Sequence, residues 1–193
     1  MTAPAESGVI GILLAAGRGA RFGGGKLLAG LAGECVGTVA CRHLAVALPR
    51  VIAVVRPDDA ALAAALGSAG ARIVRCANAD EGMGASLACG VAATSGAAGW
   101  VVALADMPWI LPSTIARVAA AVADGAAVAA PFHRGKRGHP VGFSSACYAA
   151  LATLAGDEGA RSVVAAHRDS VARIDVDDAG TLRDIDHPAD LAG

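Results

Sequence analysis

Short apolar runs recur along the 193-residue chain, and most give way to a turn or to residues at helical spacing. Val9–Leu14, Val51–Val55, Ile73–Val74, Trp100–Ala105, Val128–Ala130, Pro140–Phe143 and Val171–Val176 read as strands. Helices are predicted from Asp58 to about Leu66, from Gly84 through Ser86, Leu87 and Val91, and from Pro112 to near Gly125. Two more are expected around Ser145–Leu154 and Gly159–His167, with a short one after the acidic turn Asp184–Asp186. Alternating strands and helices imply a mostly parallel sheet with helices on both faces and right-handed crossovers. A chain of this length fits one domain, 1–193, with a substantial core. Its texture divides it at about residue 131, since His133–His139 forms a basic turn unlike anything before it.

Composition narrows the function classes. Hydrophobic residues make up 55% of the chain, largely alanine, while aromatics are only 3%. So many small side chains fit closely packed helices and equally a biased genome. The formal net charge of −1 gives no global attraction to nucleic acid or to an anionic membrane, so any anion site must be local. Cys35, Cys41, Cys76, Cys89 and Cys147 show no C-x-x-C spacing. They read as small buried hydrophobes of a reducing, cytoplasmic compartment, not as a zinc site or a disulfide framework. The stretch before Val9 lacks the basic region of a signal peptide. Gly82–Ala105 is uncharged and long enough to cross a bilayer, but glycines interrupt it and it splits into a helix and a strand. No membrane span is expected.

The first strand runs directly into Leu14–Lys26, LAAGRGARFGGGK. Glycines let backbone N–H groups approach an anion, and Arg18, Arg21 and Lys26 add charge, so the loop suits a polyphosphate. It is not a Walker A loop, because Leu27 follows Lys26 where a Ser or Thr would hold magnesium. It is not the dinucleotide fingerprint either, because Phe22 stands where the third glycine belongs. That break, with the surplus of cations, disfavours an NAD(P)-dependent oxidoreductase.

Further chemistry lies at other turns. Strand Trp100–Ala105 delivers Asp106-Met107-Pro108, where a carboxylate can either hold a phosphate-bridging divalent cation or serve the turn before proline. Gly82-Met83-Gly84-Ala85-Ser86, preceded by Asn78 and Glu81, is a glycine-flanked helix start whose N–H groups can meet a base or ribose. It also reads as an ordinary helix start. Asp186, in Asp184-Ile185-Asp186-His187-Pro188, either reaches the same metal or caps the last helix. Gly138-His139-Pro140 and Gly156-Asp157-Glu158-Gly159-Ala160-Arg161 place polar groups at turns, and Arg161 opposes a helix dipole unless an anion lies nearby.

Together LAAGRGARFGGGK, GMGASL, LADMP, GHPVGF, GDEGAR and DIDHPADL resemble the MobA-like nucleotidyltransferases over nearly the whole chain. Within them, the set looks most like the molybdenum cofactor cytidylyltransferase branch. The resemblance implies a three-layer α/β/α Rossmann-like nucleotidyltransferase fold. It implies a magnesium-dependent enzyme that transfers CMP from CTP to the phosphate of a molybdopterin cofactor and releases pyrophosphate. Residues 9–131 would form the nucleotide-binding half and 132–193 the acceptor-binding half.

Family roles fall on Leu14, Ala15, Ala16, Gly17, Arg18, Gly19, Arg21 and Lys26, with Asn78, Gly82, Met83, Gly84 and Ser86, for the nucleotide. Arg21, Lys26 and Asp106 would be catalytic, Asp106 and Asp186 would hold magnesium, and His139, Pro140, Asp157, Gly159 and Arg161 would face the acceptor. Partners implied are CTP, molybdopterin and a molybdenum hydroxylase or its maturation chaperone, with no nucleic acid and no membrane. GTP-using members carry glycine where Ala16 stands. The added methyl favours the smaller cytosine, by about 1–3 kcal/mol for a methyl-sized difference. The family loop commonly has serine where Gly19 stands and methionine where Phe22 stands. Alternatives are a guanylyltransferase, a sugar or isoprenoid nucleotidyltransferase of the same fold, or a non-catalytic cofactor-binding chaperone.

Overall fold

The apolar runs become strands of one sheet in the computed structural model, which describes residues 8–192. The signal-peptide reading concerns residues 1–7, which lie outside the described ones. β1 (Val9–Leu14), β4 (Val51–Val55), β5 (Arg72–Arg75) and β6 (Gly99–Leu104) are parallel, with β1 between β4 and β6. β7 (Val128–His133), β9 (Val141–Ser144) and β10 (Ala172–Asp175) extend the sheet, giving the order β10-β7-β9-β6-β1-β4-β5. β9 runs antiparallel to both neighbours. The cause is length: residues 134–140 are too few for the crossover of a dozen or more that a parallel neighbour needs. They form a hairpin instead, with β8 (Lys136–Arg137) antiparallel to β7. A two-stranded ribbon, β2 (Gly30–Leu31) with β3 (Glu34–Cys35), lies apart from the sheet.

Alternation along the strands splits the core into two layers. Leu13, Ala53, Val55 and Val101 pack against α1 (Val36–Ala47), α2 (Ala60–Ser68) and α4 (Pro112–Ala123). Ile10, Ile12, Ile52, Val54, Trp100 and Val102 pack on the other face. Their partners are α3 (Met83–Ala92), α5 (Tyr148–Ala152) and α6 (Arg161–Ala166). This is the expected three-layer α/β/α arrangement.

Helix α1 was not anticipated from the sequence. Val36, Ala40, Cys41 and Leu44 do form its buried stripe. Its first turn holds Gly37, Thr38 and Val39, which are poor helix formers, and Cys35 supplies no side-chain cap. Small residues let the layers close: a Cβ on Gly11 would stand 2.9 Å from Leu44 Cγ, and one on Gly90 would stand 3.0 Å from Val54 Cγ2. Among the described residues no helix is long and apolar enough to cross a membrane. The cysteines are free, with Cys35 and Cys89 only half-buried, and burial pushes the Cys41 and Cys89 thiols up to about 11.

After β10 the chain folds back over the carboxyl end of the sheet, and one buried carboxylate fixes its path. Asp178 accepts from Leu111 N–H (2.9 Å), Thr114 Oγ1 (2.7 Å) and Gly180 N–H (3.0 Å), so it caps α4 from another part of the chain. Beyond it, Thr181 O accepts from His139 N–H (2.9 Å) and Asp106 O accepts from Ile185 N–H (2.9 Å). Asp178→Ala strands three donors, each costing about 1–3 kcal/mol if left unmet. Urea unfolding of that variant is expected to show a loss of at least about 2 kcal/mol; an unchanged midpoint would mean water replaces the carboxylate at no cost.

Candidate active site

The carboxyl ends of β6, β1 and β4 and the turn after β5 stand side by side and enclose a cavity of about 360 Å³. Leu14, Ala16, Gly17, Arg18, Gly19, Lys26 and Leu27 line it from the loop after β1. Arg56 enters from the end of β4, Ala79 and Asp80 from the turn after β5, and Gly82, Met83 and Ser86 from the start of α3. Leu104 and Asp106 come from β6, and Asp157 comes from the second half of the chain.

Loop geometry accounts for its glycines. Gly23, Gly24 and Gly25 have φ of +90°, +94° and +66°, and Gly24 N–H closes the loop onto Gly19 O (3.2 Å). L side chains rarely accept such angles. Gly19 itself sits at φ +59°, so the serine of the family loop would be strained in this conformation. A Cβ on Gly17 would meet nothing within 4 Å, which leaves room for a ligand beside its backbone.

At one end of the cavity lies a knot of opposite charges. Lys26 Nζ donates to Asp106 Oδ2 at 2.7 Å and stands 3.7 Å from Asp186 Oδ1. Arg21 donates to Asp186 Oδ2 at 2.9 Å. The Lys26 side chain is only 12% exposed. Asp186 owes its position to Asp190, whose Oδ2 accepts from both Asp186 N–H (2.9 Å) and His187 N–H (2.7 Å). Those two bonds hold the Asp190 carboxyl below the usual range.

Two carboxylates thus converge on one cation, the arrangement a divalent ion requires. Among the described residues no group of three or more His, Cys, Asp or Glu side chains could hold a metal by itself. Asp106 and Asp186 are the two carboxylates that could share a divalent ion, and its remaining oxygens would have to come from elsewhere.

A second set of ion pairs in the lining is built on Asp80, which sequence reading missed together with Arg56. Asp80 accepts from Arg56 (2.6 Å) and from Arg18 (2.7 Å), tying the loop after β1 to the end of β4. Both residues sit in turns without a recognisable motif, so only their neighbours in space reveal them. The Arg56 bond first, then that of Arg18, lowers the Asp80 pKa to about 2. The bridge is intact above the ordinary aspartate range and is lost as pH falls through about 2. Carboxyl NMR is expected to show that midpoint, and Arg56→Met to move it up toward 3.8. An ordinary midpoint in the unaltered protein would count against the bridge.

Several anticipated residues take other positions. Ala15 is buried in the sheet, with its N–H on Val54 O (2.9 Å). Asn78 bonds Glu81 (3.2 Å) and accepts from Cys76 Sγ (3.2 Å), outside the cavity lining. Gly84 N–H, expected to be open to a ligand, is taken by Gly156 O (2.7 Å), so the turn before α6 caps α3. Asp157, expected toward the acceptor, lines the cavity beside Gly82. Gly159 packs against Met83, and Arg161 is exposed at the start of α6.

His139 and Pro140 precede β9, opposite the end of β6. Burial, then Arg137, pushes the His139 imidazole below its usual pKa, with Asp106 pulling partly back, so the ring is neutral near pH 7. His139 Nδ1 is buried without a hydrogen-bond partner.

An α/β/α sheet whose strand ends bring a cationic glycine loop against two carboxylates defines the nucleotidyltransferase class. Residues 11–171 match the MobA-like NTP transferase domain, and the chain belongs to that family. It is 32% identical over 191 residues to the purine catabolism protein PucB of Bacillus subtilis, covering 93% of this chain and 92% of that one. The crystal structure of Rv0371c from Mycobacterium tuberculosis superposes with a TM-score of 0.82 at 28% identity, covering 97% of each chain. Its complex with manganese gives 0.72 at 25% identity over 88% of each.

Proposed function

We propose that the protein transfers CMP from CTP to the terminal phosphate of a molybdopterin cofactor and releases pyrophosphate. The observation that carries this is the convergence of Lys26, Arg21, Asp106 and Asp186 beside a cavity that takes in Ala16. Gly17 and its loop would receive the triphosphate, and Lys26 and Arg21 would neutralise it as it displaces their carboxylate partners. Asp106 and Asp186 would hold magnesium, which supplies charge neutralisation at the phosphates. The manganese complex of Rv0371c supports a divalent ion in this fold.

An oxygen of the acceptor phosphate bonds to the α-phosphorus, and the bond from that phosphorus to the bridging oxygen of the β-phosphate breaks. Pyrophosphate departs with the electron pair. The acceptor is already largely ionised near neutrality, so the protein's task is to align two anions and damp their repulsion. A neutral His139, Pro140 and the exposed Arg161 would border the acceptor. The Ala16 methyl, in a cavity wall, favours cytosine over guanine. The nucleotidylated cofactor would pass to a molybdenum hydroxylase or its maturation chaperone.

The test supplies molybdopterin, magnesium and either CTP or GTP and measures pyrophosphate. CTP is expected to support the faster release. Faster turnover with GTP would make the protein a guanylyltransferase, and binding without release would make it a cofactor chaperone. Lys26→Ala and Asp106→Ala are each expected to lower turnover by about 100-fold or more, with far-UV circular dichroism unchanged. Near-normal turnover in both would remove these roles.

A further inference from the structure

We infer that Arg56 reads the base, by donating to two adjacent acceptors on the edge of a pyrimidine, and that Asp80 fixes it for that purpose. The inference rests on the cytidylyl reading above and deepens it. Arg56 lines the cavity, yet its side chain is only 15% exposed. Asp80 holds one guanidinium nitrogen at 2.6 Å, and Asp58 stands 3.6 Å from another. A guanidinium has five N–H donors in a planar fork, so the clamp by Asp80 leaves donors to spare.

Charge decides which part of a nucleotide belongs there. Asp80 takes both Arg56 and Arg18, and Asp58 stands beside Arg56, so two cations face two carboxylates and the fork offers directed donors with little net field, which suits a neutral base. Lys26 and Arg21 are instead engaged with Asp106 and Asp186, where phosphates are to be bound. Position agrees with this division. Arg56 follows β4 and Asp106 follows β6, with β1 between them. Two strand spacings amount to about 10 Å, comparable to the reach from the α-phosphate to the base of a nucleotide.

The donor-only character of the fork then selects among bases. Cytosine presents O2 and N3, two neighbouring acceptors that a fork can take together. Guanine offers the fork its own acceptor pair, O6 with N7, so purines are excluded by the volume of the Ala16 methyl. Uracil interrupts its two oxygens with N3–H. Arg56 therefore discriminates cytosine from uracil by hydrogen-bond polarity.

The experiment measures binding of CTP, UTP and GTP with magnesium by titration calorimetry, which needs no acceptor. Arg56→Met is expected to weaken CTP by about 10- to 100-fold, the worth of a hydrogen-bond pair from a charged donor, while UTP changes by less than about threefold. Arg56→Lys, a single ammonium without the fork, is expected to recover only part of the loss. If the unaltered protein prefers CTP over UTP and Arg56→Met keeps that preference, the assignment of Arg56 fails and the cytidylyl reading stands. If the unaltered protein binds GTP as tightly as CTP, the cytidylyl reading fails and this inference falls with it. Should Arg56→Met not fold, Asp80→Asn serves instead. It leaves the fork in place but loosens its clamp, and it is expected to narrow the CTP-to-UTP affinity ratio; an unchanged ratio would overturn the role of Asp80.

Discussion

The internal pairing of opposite charges is the constraint on which the rest of the site depends. Lys26 with Asp106, Arg21 with Asp186 and Arg18 with Asp80 pair every cation of the loop after β1 with a carboxylate from elsewhere. Without those carboxylates, three positive side chains within one short glycine-rich loop would repel one another. With them the loop is held over the strand ends, and its charge is nearly silent until an anion competes for it. The modest overall charge of the chain is consistent with this economy, because the site stores its field locally.

Such pairing has a chemical consequence. A triphosphate entering alone must strip carboxylates from Lys26 and Arg21, leaving Asp106 and Asp186 as uncompensated anions beside further negative charge. Under the proposed function, a divalent ion bound to those same carboxylates would remove the penalty. Metal and nucleotide would then be coupled through the chain's own ion pairs, each making room for the other.

How much of this was legible in the sequence follows from how each part is encoded. The loop after β1 and Asp106 were legible because rare residue types sit at strand ends, where parallel sheets gather their ligands. Asp186 was legible as an acidic turn, but only the fold-back fixed by Asp178 brings it to Lys26. Helix α1 escaped notice because its first turn holds the poor helix formers Gly37, Thr38 and Val39. The direction of β9 was hidden because an apolar strand reads the same both ways. The length of residues 134–140 was the available clue. Arg56 and Asp80 belong to no motif, and their partnership across 24 residues exists only in space. Gly84 read as a ligand donor because a helix start has open N–H groups, and nothing local announces that Gly156 fills one.

The fold-back also governs when the protein becomes competent. Arg21 and Asp186 lie 165 residues apart in sequence yet share one hydrogen bond. During synthesis the glycine loop and β6 leave the ribosome long before Asp186 does, so a nascent chain carries only one of the two carboxylates that converge on Lys26. Under the proposed function, nucleotide handling would therefore wait until the polypeptide is nearly finished.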